Sequence, residues 1–494
     1  MSSQCSSIML SFFVPKQCRY LFVIALALCI TNSLIAQEVV AVKKEKFDSL
    51  LAHAKPSDSL RVKSILIAGN KRTKQMIIQR ELPFQVGTTI ARHDLDRELL
   101  LAKRQLMNTA LFVDVQVLPV ITDTSTAEIQ VQLKERWYLF PLPYFKLIDR
   151  NFNQWWVDQK RSLERVNYGI KFIENNVTGR NDNLNIWLIT GYTQQINLRY
   201  DLPFIDKKLR TGFNVGFAYG TQREVNYATA DNKQQFFKLE DRYLKKTFRA
   251  DLTYSYRPGV KQRHAFRVSY YDESVDDTVI KRTPNYFVNQ ENQFRYLDLN
   301  YRFKFYNADY NAYPTDGFLF EGNLYQRGGF GKSQLWMVNA RAVYALPLAK
   351  TSFLHLEGLV QLKFPVNNAF TDQRLMGYGS MQMRGLEYNV VDGMKGGMLK
   401  TTIHQKLIGF DLRNPFKSKT HDKIPFRLYL KAYTDLGYAH ISSPKPDNTL
   451  NNKVLHTYGF GLDIISIYDF VFKIEYSFNQ LGKDGLYLQS RNDF

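Results

Sequence analysis

Phe248-Arg249-Ala250-Asp251-Leu252-Thr253-Tyr254-Ser255-Tyr256 alternates without a slip. Phe248, Ala250, Leu252, Tyr254 and Tyr256 share one side, and Arg249, Asp251, Thr253 and Ser255 the other. A period of two is that of a β-strand, because successive side chains leave the sheet on opposite faces. The same pattern returns where Phe426, Leu428, Leu430, Ala432, Leu436 and Tyr438 oppose Arg427, Lys431 and Asp435. A sheet made of such strands has one apolar and one charged face.

Outward from these stretches, no helical period persists after Trp137. Sixteen candidate strands begin near residues 140, 168, 184, 195, 211, 248, 264, 295, 317, 335, 352, 399, 426, 456, 470 and 485. An even count suits a closed bacterial barrel, and the connections after odd strands average about 17 residues against about 9 after even ones, as expected when alternate turns face opposite sides of a membrane. Apolar side chains would then face lipid, charged ones a hydrated lumen, and closure would leave no unpaired edge in hydrocarbon. Tyr and Phe at the strand ends would form interfacial girdles. The fold expected for residues 137–494 is therefore mainly β, a 16-stranded antiparallel transmembrane β-barrel. A soluble basic β-sandwich is the competing architecture, and it gives no reason for the parity of the connections.

The composition agrees. The chain has 494 residues, a mean hydropathy of -0.33 and 14% aromatic residues. No apolar run reaches the roughly 18–20 residues of a membrane-spanning helix. Cys5, Cys18 and Cys29 all lie in the first thirty residues, where Lys16 and Arg19 precede the apolar run Tyr20 to Ile30. Residues 1–36 read as a secretory signal peptide cleaved after Ala36. Leu28 stands where a lipoprotein signal carries a small residue, which argues against acylation of Cys29. The mature chain then holds no cysteine, so it has neither disulfides nor thiolate chemistry. Of the formal +20 charge, +14 falls in the barrel region, where it could meet lipid phosphates, an acidic client or the water of a lumen. Nucleic acid is not an expected partner in this compartment.

Residues 37–59 are polar and read as a linker. From 60 to 136 the order β-α-α-β-β is expected, one small α+β domain. Asp94 is the expected N-cap of its second helix, whose Leu95, Leu99, Ala102 and Leu106 form an apolar stripe.

Several motifs in order resemble the BamA/TamA-like outer-membrane assembly factor superfamily, the bacterial surface antigen barrels. Residues 60–136, with Gly69-Asn70 after the first strand, Thr109-Ala110-Leu111-Phe112 and Glu135-Arg136, resemble a single POTRA domain. Asn175-Asn176-Val177-Thr178-Gly179 is similar to the Asn-rich turn early in those barrels, and Tyr313-Pro314-Thr315-Asp316-Gly317 to their mid-barrel turn. Met383-Arg384-Gly385-Leu386 stands in the place of the Arg-Gly-aromatic loop motif, with Leu386 where the aromatic is usual and Tyr388 two places on. Tyr433-Thr434-Asp435-Leu436-Gly437 resembles the aromatic-x-Asp-x-Gly strand motif. The resemblance implies that Arg384 of the long loop before the twelfth strand meets Asp435 inside the lumen as a charge-assisted pair. In a wet lumen such a pair is expected to fix register more than stability. Phe494 ends the chain as the C-terminal aromatic of an outer-membrane strand, although Ser490 and Asn492 replace apolar residues on its face.

The resemblance implies an outer-membrane assembly, insertion or translocation factor. Its partners would be outer-membrane lipid, unfolded outer-membrane or secreted clients, and subunits of an assembly machinery. Clients would be received by β-augmentation at the strand beginning at Phe112. A passive pore or surface structural protein is the alternative. No enzyme, cofactor or metal site is expected: the eight histidines form no His-Glu-x-x-His, and Ser380 lacks the Gly-x-Ser-x-Gly frame. His355 and Glu357 share an inward face without a nucleophile beside them.

Overall fold

The computed structural model describes residues 59–491 apart from 122, 124, 148–165, 240, 329–333 and 415–421. The signal peptide, nearly all of the linker, Asn492 and Phe494 lie outside the described residues.

The N-terminal domain runs β1 (Ser59–Ala68), α1 (Gln75–Arg80), β2 (Thr89–Ala91), α2 (Leu95–Met107), β3 (Phe112–Ile121) and β4 (Thr126–Glu135). The sheet order is β2-β1-β4-β3, with β1 parallel to β4 and the other pairs antiparallel. The three-residue β2, which pairs with the start of β1, is an addition to the β-α-α-β-β order. Asp94 does not cap α2 with its side chain: a 3-10 turn, Arg92–Asp94, runs straight into the helix, and the Asp94 carboxylate instead meets Arg97 at 3.1 Å. Leu99, Ala102 and Leu106 of α2 are buried against Val62, Val115, Ile129 and Val131 of the sheet. Each fully buried leucine- or valine-sized side chain contributes about 1.5–3 kcal/mol. Phe204 and Leu209, from a barrel turn, belong to this same core. The two parts of the chain thus share apolar packing.

One 16-stranded antiparallel sheet follows. Its strands are β5 (Leu139–Leu147), β6 (Val166–Asn175), β7 (Asn183–Gly191), β8 (Gln195–Leu202) and β9 (Thr211–Gln222). After a hairpin of β10 (Glu224–Ala230) and β11 (Lys233–Lys238), the sheet resumes with β12 (Lys245–Tyr256), β13 (Gln262–Val275), β14 (Gln293–Ala308), β15 (Gly317–Gly328), β16 (Leu335–Pro347) and β17 (Ser352–Phe364). The short β18 (Arg374–Met376) and β19 (Val391–Asp392) pair within the next connection, and β20 (Lys395–Arg413), β21 (Lys423–His440), β22 (Val454–Ile465), β23 (Val471–Asn479) and β24 (Asp484–Arg491) complete the barrel. All sixteen expected strands are present, none starting more than four residues from its expected position.

Exposure is inverted relative to a soluble sheet. Leu252 is 52% exposed and its neighbour Asp251 only 6%. Phe217, Phe266, Val268, Leu299, Leu399 and Leu436 repeat the outward apolar pattern on other strands. Buried charge inside and exposed hydrocarbon outside is what a barrel dissolved in lipid requires. The sheet's polar interior is fitted together by glycine: an added Cβ at Gly216 would lie 2.6 Å from Arg199, which bridges to Asp251 at 2.9 Å. No ladder joins β5 to β24 among the described residues. At that seam the Phe140 ring meets Tyr468 edge-on, 5.4 Å between centroids.

Candidate functional site

The connection from β17 to β20, residues 365–394, folds back into the lumen. Met376, Met381, Met383, Leu386 and Val391 pack there with Leu359, Met398 and Leu455 of the wall. Arg384 donates through Nε to Asp435 Oδ2 at 2.9 Å and through its backbone N–H to the same oxygen at 3.2 Å, while Nη2 bonds Oδ1. Its Nη1 donates to Thr402 at 3.0 Å, and the guanidinium lies 3.9 Å over the Tyr433 ring. Asp435 is 0% exposed. The expected pair is thus present, and the folded-in loop shuts its carboxylate off from solvent instead of leaving it in a wet lumen.

The glycines of the two motifs make the approach possible. A Cβ at Gly437 would stand 3.1 Å from Met383 Sδ. Gly385 has φ +81°, its carbonyl accepts from Asn479 Nδ2 at 2.7 Å, and a Cβ would lie 3.0 Å from that of Ser477. Gly385→Ala should cost about 1–3 kcal/mol through left-handed strain, read as faster cleavage of this loop by added protease. Leu386 is buried in the plug, whereas Tyr388 lies at the surface against Tyr487 of β24, 6.0 Å between centroids.

A second layer lies on β20 to β23. Lys431 sits between Asp463 at 2.5 Å and Glu475 at 2.6 Å, and His404 approaches Asp463 at 3.4 Å. Tyr313, from the turn after β14, reaches across to donate to Asp463 at 2.9 Å and packs on Phe353 and Tyr429. The remainder of that motif is turn chemistry. Asp309 accepts from the backbone N–H of Thr315 at 2.9 Å, Pro314 sets the bend, and Gly317 at φ +121° has no room for a Cβ beside Asn307 O.

The N-terminal domain docks on the turns at the same end. Asn176 is fully buried and donates to Thr73 at 3.0 Å, and Gly179 O accepts from the Lys74 N–H at 2.9 Å. A Cβ on Gly179 would meet Arg72 O at 2.2 Å. Arg136 grips Asp469 at 2.8 and 3.2 Å, and Lys134 pairs with Asp422. Arg257 holds Glu81 with both terminal nitrogens, at 2.6 and 2.8 Å. Within the domain, Gly69 at φ +91° passes against Leu133 O, Asn70 bonds Thr73 O at 3.0 Å, and Phe112 is wholly buried in the core.

Residues 176–479 match the Omp85 superfamily domain. The chain belongs to the Omp85 superfamily. Among solved structures of similar fold, CdiB from Escherichia coli is 12% identical, with 87% of this chain and 76% of that one covered at a TM-score of 0.51. BamA from Haemophilus ducreyi lacking POTRA domains 1-3 is 14% identical, with 87% and 84% covered at 0.49, and CdiB from Acinetobacter baumannii is 14% identical, with 88% and 74% covered at 0.45. No curated protein matches the sequence.

In this Omp85 barrel the structure brings Arg384, Gly385, Asp435 and Gly437 into one contact, and Asn176 and Gly179 into the domain interface. Asp463 and Glu475 escaped the sequence reading, which placed Lys431 on the face of Asp435 and Tyr313 in a turn motif without assigning either a contact. Their signal was parity: Lys431 shares a face with Asp435, Glu475 falls in register with it across Gly461, and Asp463 lies diagonal to it on the same face of β22. Glu357 is engaged by Arg341 at 2.7 Å, and the His355 ring lies 6.0 Å from that of His404.

Proposed function

We propose that this chain is an outer-membrane assembly or translocation factor in which the N-terminal domain is a POTRA domain facing the periplasm. It receives unfolded clients along β3, and the barrel inserts or passes them. The observation that carries this reading is the position of β3, the edge strand of a domain that is held to the barrel mouth at Glu81 and Arg136. β-Augmentation needs an unpaired ladder of backbone groups. The edge is narrower than the strand. A bulge interrupts pairing between Phe112 and Asp114, Arg136 Nε already donates to Phe112 O at 2.9 Å, and Pro119 offers no N–H. Receipt therefore centres on Asp114 to Leu118, not on Phe112. The loop plug and the docked domain argue against a passive pore.

The test exploits the absence of cysteine after residue 36. A single cysteine at Gln116 on β3 should crosslink to unfolded barrel proteins in cells, and one at Gln130 on the central β4 should not. Depletion of the protein should lower the abundance of other barrel proteins. Equal crosslinking from both positions, or unchanged barrel levels on depletion, would remove the receiving role.

A further inference from the structure

We propose that the cavity between the N-terminal domain and the barrel wall is an oxyanion site that holds an acidic segment of a client polypeptide. The assignment of a polypeptide rests on the client-handling reading above; the anion site itself rests on the geometry that follows.

The cavity, of about 610 Å³, lies where Leu101, Gln105 and Asn108 of the domain face β13, β14 and the turn between β12 and β13. Five cations line it: Arg257, Lys261, Arg263, Arg302 and Lys304. Two are neutralised, Arg257 by Glu81 at 2.6 Å and Lys304 by Glu321 at 2.9 Å. Lys261, Arg263 and Arg302 form no ion pair among the described residues. The lining carboxylates do not balance them. Glu81 serves Arg257 and Arg80, Asp469 serves Arg136 and Tyr310, and Asp201, which forms no ion pair among the described residues, lies in the field of Arg199 and Arg263 and offsets one of the three.

The strand register shows that the excess is built into the wall. Arg302 has Ala265 and Asn323 directly opposite it, and the nearest carboxylate on its face, the diagonal Glu321, is already bound by Lys304. Arg263 lies directly opposite Lys304. Like charges facing each other across a ladder destabilise it. Arg263 Nε is buried without a hydrogen-bond partner, and its guanidinium rests 5.6 Å from the Tyr306 ring centroid. Such a concave basic wall concentrates anions, and two guanidiniums suit carboxylates, which they bind through paired N–H groups.

A lipid phosphate carries the same chemistry but a different body. The apolar partners of these cations, Phe266, Val268 and Leu299, point outward on the same strands. An acyl chain bound here would lie among guanidiniums with its hydrocarbon solvent on the far side of the wall. A polypeptide has no such conflict.

The experiment uses the full chain in nanodiscs and a fluorescent peptide of alternating Glu and Gly, with the Gln and Gly peptide as control. The acidic peptide should bind, more weakly as salt rises. R263Q/R302Q should weaken binding on the order of tenfold or more, and R263K/R302K should retain most of it. Heat-modifiable migration checks that each variant is folded, and K261Q, on an exposed turn, tests the same charge if the double variant is not. Equal binding of the Gln peptide, or undiminished binding by folded charge-removed variants, overturns the proposal. Binding of a short-chain anionic phospholipid at these residues without peptide binding assigns the cations to lipid and overturns it too. Peptide binding can survive a failed client-depletion result, and the converse, so the two readings fall separately.

Discussion

Asp435→Ala should free the loop 365–394 from the lumen, and Arg384→Ala should do the same at a comparable cost, roughly 3–5 kcal/mol for breaking one side of a buried charge pair. Asp435 accepts three bonds from Arg384, one of them from the backbone, and is shut off from solvent. Truncating Arg384 leaves that carboxylate buried with a single backbone donor. Truncating Asp435 leaves a guanidinium with Thr402, the Tyr433 ring and the more distant attraction of Glu475. The double substitution should cost little more than either single one, because the two share one contact. Arg384→Lys should fall between wild type and alanine, since an ammonium cannot bridge both carboxylate oxygens and Thr402 while stacking on Tyr433. The charge swap Arg384→Asp with Asp435→Arg should restore little: the backbone N–H at 384 would then face a guanidinium instead of an acceptor. Protease cleavage within the loop reports all of these. Additive single effects, or a swap that restores full protection, would mean that the contact does not hold the loop.

That pair was legible in the sequence because parity and motif order agreed. Asp435 falls on the face of Arg427 and Lys431, which alternation assigns to the lumen, and the loop motif supplied its partner. Strand positions were legible for the same reason: strand after strand separates an apolar from a polar or charged face, and lipid favours that separation. Features that depend on packing between distant segments were not. Phe204 and Leu209 read as ordinary turn residues, yet they complete the core of the N-terminal domain. Asp94 had the residue type of a cap, but a preceding 3-10 turn supplies the first helical geometry and leaves its side chain free for Arg97. The short β2 lacks a hydrophobic period because three residues are too few to show one. Water exclusion at Asp435 also had no sequence signal, since it arises from where the loop folds and not from what Asp435 is.

Glu81→Gln should undock the N-terminal domain from the barrel mouth more than Arg257→Gln does, although both break the same ion pair. Glu81 is 2% exposed and serves two cations: Arg257 through 2.6 and 2.8 Å bonds and Arg80 at 2.9 Å. Both guanidiniums approach the Phe204 ring, at 4.7 and 6.0 Å from its centroid. Burial and the neighbouring Arg257 already hold the Arg80 pKa below the usual guanidinium value. Neutralising Glu81 leaves two cations facing each other across an aromatic ring in a shared apolar core, at a cost of roughly 3–5 kcal/mol. Removing Arg257 leaves Glu81 still paired with Arg80, which also holds Leu209 O at 2.7 Å, so the turn stays attached. The expected loss there is about 1–2 kcal/mol, that of hydrogen bonds to a charged group whose partner remains satisfied. Conductance in planar bilayers gives the readout, because residues of the domain and of the barrel wall line one cavity at this end of the barrel. Glu81→Gln should open larger and longer-lived conducting states than Arg257→Gln, and Arg80→Gln combined with Glu81→Gln should reverse part of the effect by removing one of the two opposed charges. Equal opening by the two single variants would show that the pair acts as a simple bridge, and that the like-charge contact beneath it contributes nothing to how the domain is held.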